Sequence, residues 1–154
     1  MIRMIPFTEL NETEIEMVLT WRNHPDVQSW MLRPNEISKD EHVRFLQSLT
    51  TRSDKRYFLV QRANDYLGVV DLTDITETSA ELGIYANPDV HGVGKILMDT
   101  LLGYASKTLG LKKIIANVFA HNERAKHLYA KFDFTETGRA IYDGKEMITL
   151  ERTL

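Results

Sequence analysis

Cysteine is absent from the 154-residue chain. Disulfides, cysteine nucleophiles and thiolate metal sites are therefore excluded, and no metal is expected. Long apolar runs are absent as well. None approaches the roughly 18 residues needed to cross a bilayer, so no membrane partner is expected. The N-terminus lacks a signal-peptide core, because Pro6 and Glu9 interrupt its apolar stretch. An excess of positive charge is also missing. The formal net charge is −3, whereas a nucleic-acid binder needs a basic surface to neutralise phosphates. A small phosphorylated ligand held by a few local cations stays open. No repeat, low-complexity tract or Pro/Gly-rich linker divides the sequence, so one domain over residues 1–154 is expected. These absences point to a cytoplasmic protein and are silent on oligomeric state, a homodimer included.

What is present is ordinary globular composition, 43% hydrophobic and 27% charged. Residues 1–8 read as an opening strand. Asn11-Glu12-Thr13-Glu14 reads as a capping box before a helix with Ile15, Val18, Leu19 and Arg22 near a 3.6-residue stripe, limited by Pro25. Ser38-Lys39-Asp40-Glu41 reads as a second box, opening a helix with Val43, Phe45, Leu46 and Leu49 inward. Strands follow at 57–60 and 66–70 around an Asn64-Asp65 turn, and at 81–85 before Asn87-Pro88. A helix from Gly94 to about residue 108, a β-branched strand at 113–119, a helix at 122–131 and an Asp143-Gly144 hairpin complete the order. That order, β-α-α-β-β-β-α-β-α-β-β, predicts a mixed α/β layer structure with a parallel crossover around the helix after Gly94.

Gly92-Val93-Gly94 lies between a strand and a helix, where free amides of the first helical turn can receive an anion, with Lys95 adding charge. Two glycines before a helix are also often only a tight turn. The third glycine of a dinucleotide fingerprint and the Gly-Lys-Ser/Thr ending of a P-loop are both missing. The stretch Asn117 to Phe134 says more. It resembles the second signature of the Gcn5-related N-acetyltransferases, Asn-x-x-Ala-x-x-Leu-Tyr-x-Lys-x-Gly-Phe, at Asn122, Ala125, Leu128, Tyr129, Lys131 and Phe134, with Asp133 where glycine is usual. That family's first segment falls on the glycine turn in either of two registers. One places His91, Gly94 and Ile96 on its marked positions, and the other makes Gly92-Val93-Gly94 the glycine pair.

The resemblance implies a central twisted, mostly antiparallel sheet of about seven strands with a splayed parallel pair, flanked by about four helices. It implies acetyl-CoA as acetyl donor, held by His91, Gly92, Val93, Gly94, Lys95 and Ile96 at its phosphates. Asn117, Asn122 and Ala125 would lie along the pantetheine arm. A backbone N–H near Ile84 would bond the thioester oxygen, worth about 3 kcal/mol as charge develops there. Tyr129 would be the general acid, since a tyrosine with a pKa near 10 is protonated at neutral pH. On spacing alone Tyr129 reads first as a core aromatic on an amphipathic helix, and the resemblance reverses that order. Glu81 and His42 are candidate bases, and water is a third if the amine is already largely neutral.

The acceptor side draws on Arg22 and Trp30, which suit a diphosphate and a nucleobase or sugar face. Arg-Asn-His-Pro…Trp-Met, Glu-His-Val-Arg-Phe-Leu, Arg-Tyr-Phe-Leu and Leu-Gly-Ile-Tyr further resemble the N-acetyltransferases of bacterial pseudaminic acid biosynthesis. Those acetylate the 4-amino group of a UDP-linked 4-amino-4,6-dideoxy-N-acetyl-altrosamine for flagellin glycosylation. By that resemblance Arg22, His42, Thr73 and Tyr85 would contact a small nucleotide-sugar. The rivals are a ribosomal-protein-type N-terminal alanine acetyltransferase and a non-catalytic acetyl-CoA-binding module.

Overall fold

Local chemistry starts each element. Asn11 accepts from the Glu14 N–H at 2.8 Å and Glu14 returns a bond to the Asn11 N–H at 3.0 Å. That complete capping box opens α1, Glu12–Asn23. Pro25 then begins a single turn, α2, Pro25–Gln28. The Ser38 hydroxyl accepts from the Glu41 N–H at 3.1 Å and opens α3, Lys39–Leu49. Here the box is half-formed, because the Glu41 carboxylate lies 3.4 Å from the Ser38 hydroxyl instead of bonding the cap N–H. The later helices are α4, Gly94–Gly103, which runs into a π-helical turn at Tyr104–Thr108, and α5, Glu123–Lys131. With α2 counted, five helices form where about four were expected.

The computed structural model describes residues 1–154. Its strands are β1 Ile2–Pro6, β2 Arg56–Arg62, β3 Asp65–Thr73, β4 Ser79–Ala86, β5 Lys113–Phe119, β6 Thr135–Tyr142 and β7 Lys145–Thr153. They make one 7-stranded sheet in the order β1-β2-β3-β4-β5-β7-β6. All neighbours are antiparallel except β4 and β5, joined by the α4 crossover. That parallel ladder is short. It holds Ser79 to Lys113, Ala80 to Ile114 and Glu81 to Ile115, and then stops. β4 continues to Ala86 against β3, and β5 continues to Phe119 against β7. The sheet therefore opens into a V between residues 82–86 and 116–119.

Alternation along the strands sends side chains to two cores. Val70, Leu72, Ala80, Leu82, Ile114 and Ala116 pack under α4 with Leu97, Met98 and Leu101. Leu59 and Val69 pack on the other face with Val18, Trp21, Leu46 and Leu49 of α1 and α3. The expected α1 stripe is rotated: Glu14, Val18 and Trp21 are its buried residues, with Ile15, Leu19 and Arg22 less covered. Glu14 turns inward because its carboxylate closes the capping box and also accepts from the Tyr66 hydroxyl at 2.8 Å.

Candidate active site

At the N-terminus of α4, Gly92 has φ of +75°, the left-handed turn that aims the following amides along one direction. No side chain caps this helix. The first of its amides to reach a carbonyl is that of Leu97, on Val93 at 3.0 Å. The N–H groups of Gly94, Lys95 and Ile96 are thus free at the positive end of the helix dipole, a built anion receptor. His91, Gly92 and Lys95 are exposed beside it. Val93 is buried in the core and Ile96 packs against it, so these two offer backbone, not side chain. The pyrophosphate of coenzyme A fits such a turn.

The V supplies the second element. Over residues 82–86 the β4 backbone that faces β5 has no strand partner. Ile84 lies in that span, and its side chain belongs to the α4 core, so only its backbone addresses the gap. A pantetheine arm, whose amides hydrogen-bond as a strand does, fits there.

Around the gap, the face of the sheet turned toward α1 and α3 carries polar residues. Asp71, Thr73, Glu81, Gly83, Tyr85 and Asn117 alternate with the core residues of their strands. Asp71 stands opposite Gly83. A Cβ on Gly83 would meet the Asp71 carboxylate oxygens at 2.5 and 2.8 Å, so that carboxylate lies directly over the splayed part of β4. Burial, with the Glu81 charge beside it, pushes the Asp71 carboxyl up to about 7, while Lys55 pulls the other way. Glu81 is raised by burial and held back by the Asn117 amide. Asn117 is itself fixed by the Thr149 hydroxyl, which donates to its Oδ1 at 2.7 Å.

Tyr129 belongs to the opposite core, 8% exposed, with its ring 5.3 Å from Phe134. Burial raises its pKa, and the Asp71 and Glu81 charges raise it further. The two carboxylates lie on the other face of the sheet from the Tyr129 core. Tyr57 and Tyr85 are likewise raised by burial first and by Asp71 next. All three phenols are therefore held as O–H at neutral pH. Asn122 caps α5, its Oδ1 accepting from the Ala125 N–H at 3.2 Å. Its side-chain oxygen is thus engaged in the fold, and its amide N–H groups make no bond within the protein and are free for a ligand. Asp133 has φ of +65°, which is why glycine is usual there and a short polar residue is tolerated.

Of the acceptor-side residues, Arg22 donates from Nη2 to the Arg33 carbonyl at 2.7 Å, while its Nη1 is buried without a partner. Burial lowers its pKa and Tyr85 opposes that. Asn23 pins the following loop by exchanging two 2.8 Å bonds with Ile37. Trp30, on that loop, is 42% exposed with its ring 5.1 Å from His121, which is 5.7 Å from Phe119 at the end of β5. The loop therefore reaches the open end of the V. Thr73 pairs with Glu81 at the gap's start. His42 is placed differently. It is buried, its Nε2 is 3.1 Å from the Ile15 carbonyl, and it ties α3 to α1. Its pKa is lowered by burial and feels none of the carboxylates at the gap, which disfavours the base role. Asp71 and Tyr57 are the residues that sequence reasoning missed. The available signal was a lone carboxylate continuing an otherwise apolar strand, Leu67-Gly68-Val69-Val70-Asp71-Leu72.

Comparison with known proteins agrees with this geometry. An acetyltransferase (GNAT) domain family matches residues 5–135. The acetyltransferase PseH of Campylobacter jejuni strain 81-176 is 43% identical over 143 residues, 93% of this chain and 87% of that protein. The crystal structure of the Campylobacter jejuni N-acetyltransferase PseH in complex with acetyl coenzyme A superposes with a TM-score of 0.84 at 35% identity, covering 99% of both chains. A spermidine N-acetyltransferase of Vibrio cholerae, solved with CoA and spermine, has a TM-score of 0.86 at 24% identity and shares the fold. A free-amide helix start, an interrupted parallel ladder and these relatives lead to one identification: the chain belongs to the GNAT acetyltransferase family and is an acetyl-CoA-dependent N-acetyltransferase.

Proposed function

We propose that the acceptor is the 4-amino group of a UDP-linked 4-amino-4,6-dideoxy-N-acetyl-altrosamine, placing the enzyme in pseudaminic acid biosynthesis for flagellin glycosylation, with direct transfer in a ternary complex. The observation that carries the reading is the buried, unpartnered Nη1 of Arg22. A buried guanidinium donor left unpaired costs about 1–3 kcal/mol or more, so a fold that keeps one has an anionic partner to offer it. A diphosphate meets that need in a way that a peptide N-terminus or a polyamine does not. The PseH relatives support the same pathway.

In this reading Arg22 takes the diphosphate, Trp30 faces the base or sugar, and Thr73 and Tyr85 contact the sugar near the gap. Acetyl-CoA supplies the acetyl group as a thioester. Gly94, Lys95 and Ile96 hold its phosphates through their amides, with His91 and Gly92 beside them. The amides within residues 82–86 that face β5, and the Asn122 side chain, hold the arm, with Asn117 and Ala125 along it. Tyr129, kept protonated by its surroundings, donates its hydroxyl proton to the departing sulfur. Trp30, packed against His121 at the open end of the V, shields the reacting atoms from water. The protein would act as a single domain in the cytoplasm on a diffusing nucleotide-sugar, with no nucleic acid or membrane involved.

A free-thiol release assay tests the substrate. Acetyl-CoA is offered with the UDP-4-amino sugar, with N-terminal peptides or with spermidine. Turnover with the amino sugar at a kcat/KM at least about 100-fold above the others is expected, since a site built around a polar group strongly rejects partners lacking it. Turnover only with peptides or only with spermidine ends the nucleotide-sugar reading.

A further inference from the structure

We propose that Asp71 is the general base of the reaction, taking the proton from the acceptor's ammonium group. The inference rests on the amine-acetylating function and not on which amine is used.

The geometry is specific. Asp71 sits on β3, opposite Gly83, two residues beyond the last β4 residue that pairs with β5. Its carboxylate overlies β4 where the sheet has opened, and only the missing Cβ of Gly83 leaves it room. It accepts no hydrogen bond from the protein, so its oxygens are free for a donor. The Tyr129 hydroxyl, also without a protein partner and on a side chain more than nine-tenths buried, belongs to the opposite core and feels the Asp71 and Glu81 charges. The acid and the base thus come from the two faces of the sheet.

Every charged or titratable group packed around Asp71 acts in a known direction. Glu81 from β4 raises its proton affinity and Lys55, just before β2, lowers it. The phenols Tyr57 of β2, Tyr85 of β4 and Tyr129 of α5 feel the Asp71 charge and stay protonated. Arg22 of α1 acts on Tyr57 and Tyr85. The result is a carboxylate poised near neutrality, the range in which a base is both ionised and strong enough to take a proton. Glu81 lies on the same face but is engaged with Asn117.

The proton count closes. Asp71 accepts one proton from the ammonium nitrogen, leaving a neutral amine whose lone pair forms the new N–C bond as the C–S bond breaks. Tyr129 gives its proton to the sulfur and is restored by the second proton lost from nitrogen. Asp71 releases its proton to solvent. Ammonium and thioester have become amide, thiol and one proton.

The test compares Asp71→Asn and Glu81→Gln in the full chain, with whichever amine the wild type turns over. Failure of the nucleotide-sugar reading therefore leaves this test intact. Asp71→Asn is expected to lower kcat about 100-fold or more at pH 7 with acetyl-CoA binding within about twofold, and to abolish the rise of kcat/KM through pH 7. The deficit shrinks by pH 9.5, where solution hydroxide already deprotonates the amine. Glu81→Gln keeps a rise but moves it to lower pH, because the charge that raises the Asp71 proton affinity is gone. Gly83→Ala, which displaces the carboxylate while keeping it, reproduces the loss. In the substrate-free wild type, the Asp71 carboxyl carbon titrates near neutrality by NMR. Wild-type-like activity of Asp71→Asn at pH 7, an equal deficit at every pH, loss of the rise in Glu81→Gln instead, or titration of Asp71 below pH 5 would each overturn the proposal.

Discussion

The two faces of the sheet at β3, β4 and β5 are made from alternate residues of the same strands, yet they differ in kind. Toward α4 the residues are Val70, Leu72, Ala80, Leu82, Ile114 and Ala116, all within 5% exposure. Toward α1 and α3, one position along each strand, stand Asp71, Thr73, Glu81, Gly83, Tyr85 and Asn117. One face buries apolar surface and holds the fold. The other keeps carboxylates and phenols partly desolvated around a gap, which costs stability and tunes proton affinity. The period of two in a strand lets one stretch of chain carry both without compromise.

Substitutions on each face separate these roles. The largest effect belongs to the one residue that bridges them. Tyr129→Phe keeps the ring packed on Phe134 and should lower kcat by about 100-fold or more with acetyl-CoA affinity nearly intact by calorimetry. A rate within threefold of wild type would remove it as the acid. Next is the dry face. Leu97→Ala, on the fully buried face of α4, should cost about 2–5 kcal/mol in urea denaturation while kcat per folded molecule holds. A fall in kcat without loss of stability would mean that the faces are not independent. Third, Arg22→Gln should raise the KM for the nucleotide-sugar about 10–100-fold, the worth of one charge-assisted bond, and leave the KM for acetyl-CoA alone.

The smallest effect is in pH dependence, where two groups on the α1–α3 side, one at the gap and one between the helices, have opposite signs. Asp71 binds its proton more tightly folded, at about 7, than unfolded, at about 3.9. Its contribution to stability is therefore full below the unfolded value and is lost as pH rises through 7. Asp71→Asn should raise the urea midpoint at pH 8 relative to pH 4. His42 binds its proton less tightly folded, because burial lowers its pKa. Stability from that site is lost as pH falls below the unfolded value of about 6.5, so His42→Gln should flatten the acid side only. Equal pH profiles for both variants and wild type would break the contrast.

Much of the fold was legible because its signals are local. Asn11 with Glu14, the Asn64-Asp65 turn and Asp143-Gly144 each fix an element within a few residues. The hydrophobic pattern separated strands from helices for the same reason. The misreadings came from side chains whose partners are distant in sequence. Glu14 turned inward for Tyr66, and His42 was drawn into the α1–α3 contact by Ile15. Asp71 was passed over because its meaning depends on Gly83 across a ladder and on the end of that ladder at Glu81.

By itself the sequence determined the element order, the free-amide turn at Gly92 to Gly94, and the Asn122-to-Phe134 segment, because each is written in neighbouring residues. Only the tertiary structure decided which carboxylate stands at the reacting centre. A strand's two faces are distinguished by what packs on them, and a gap exists only where two strands distant in sequence stop pairing.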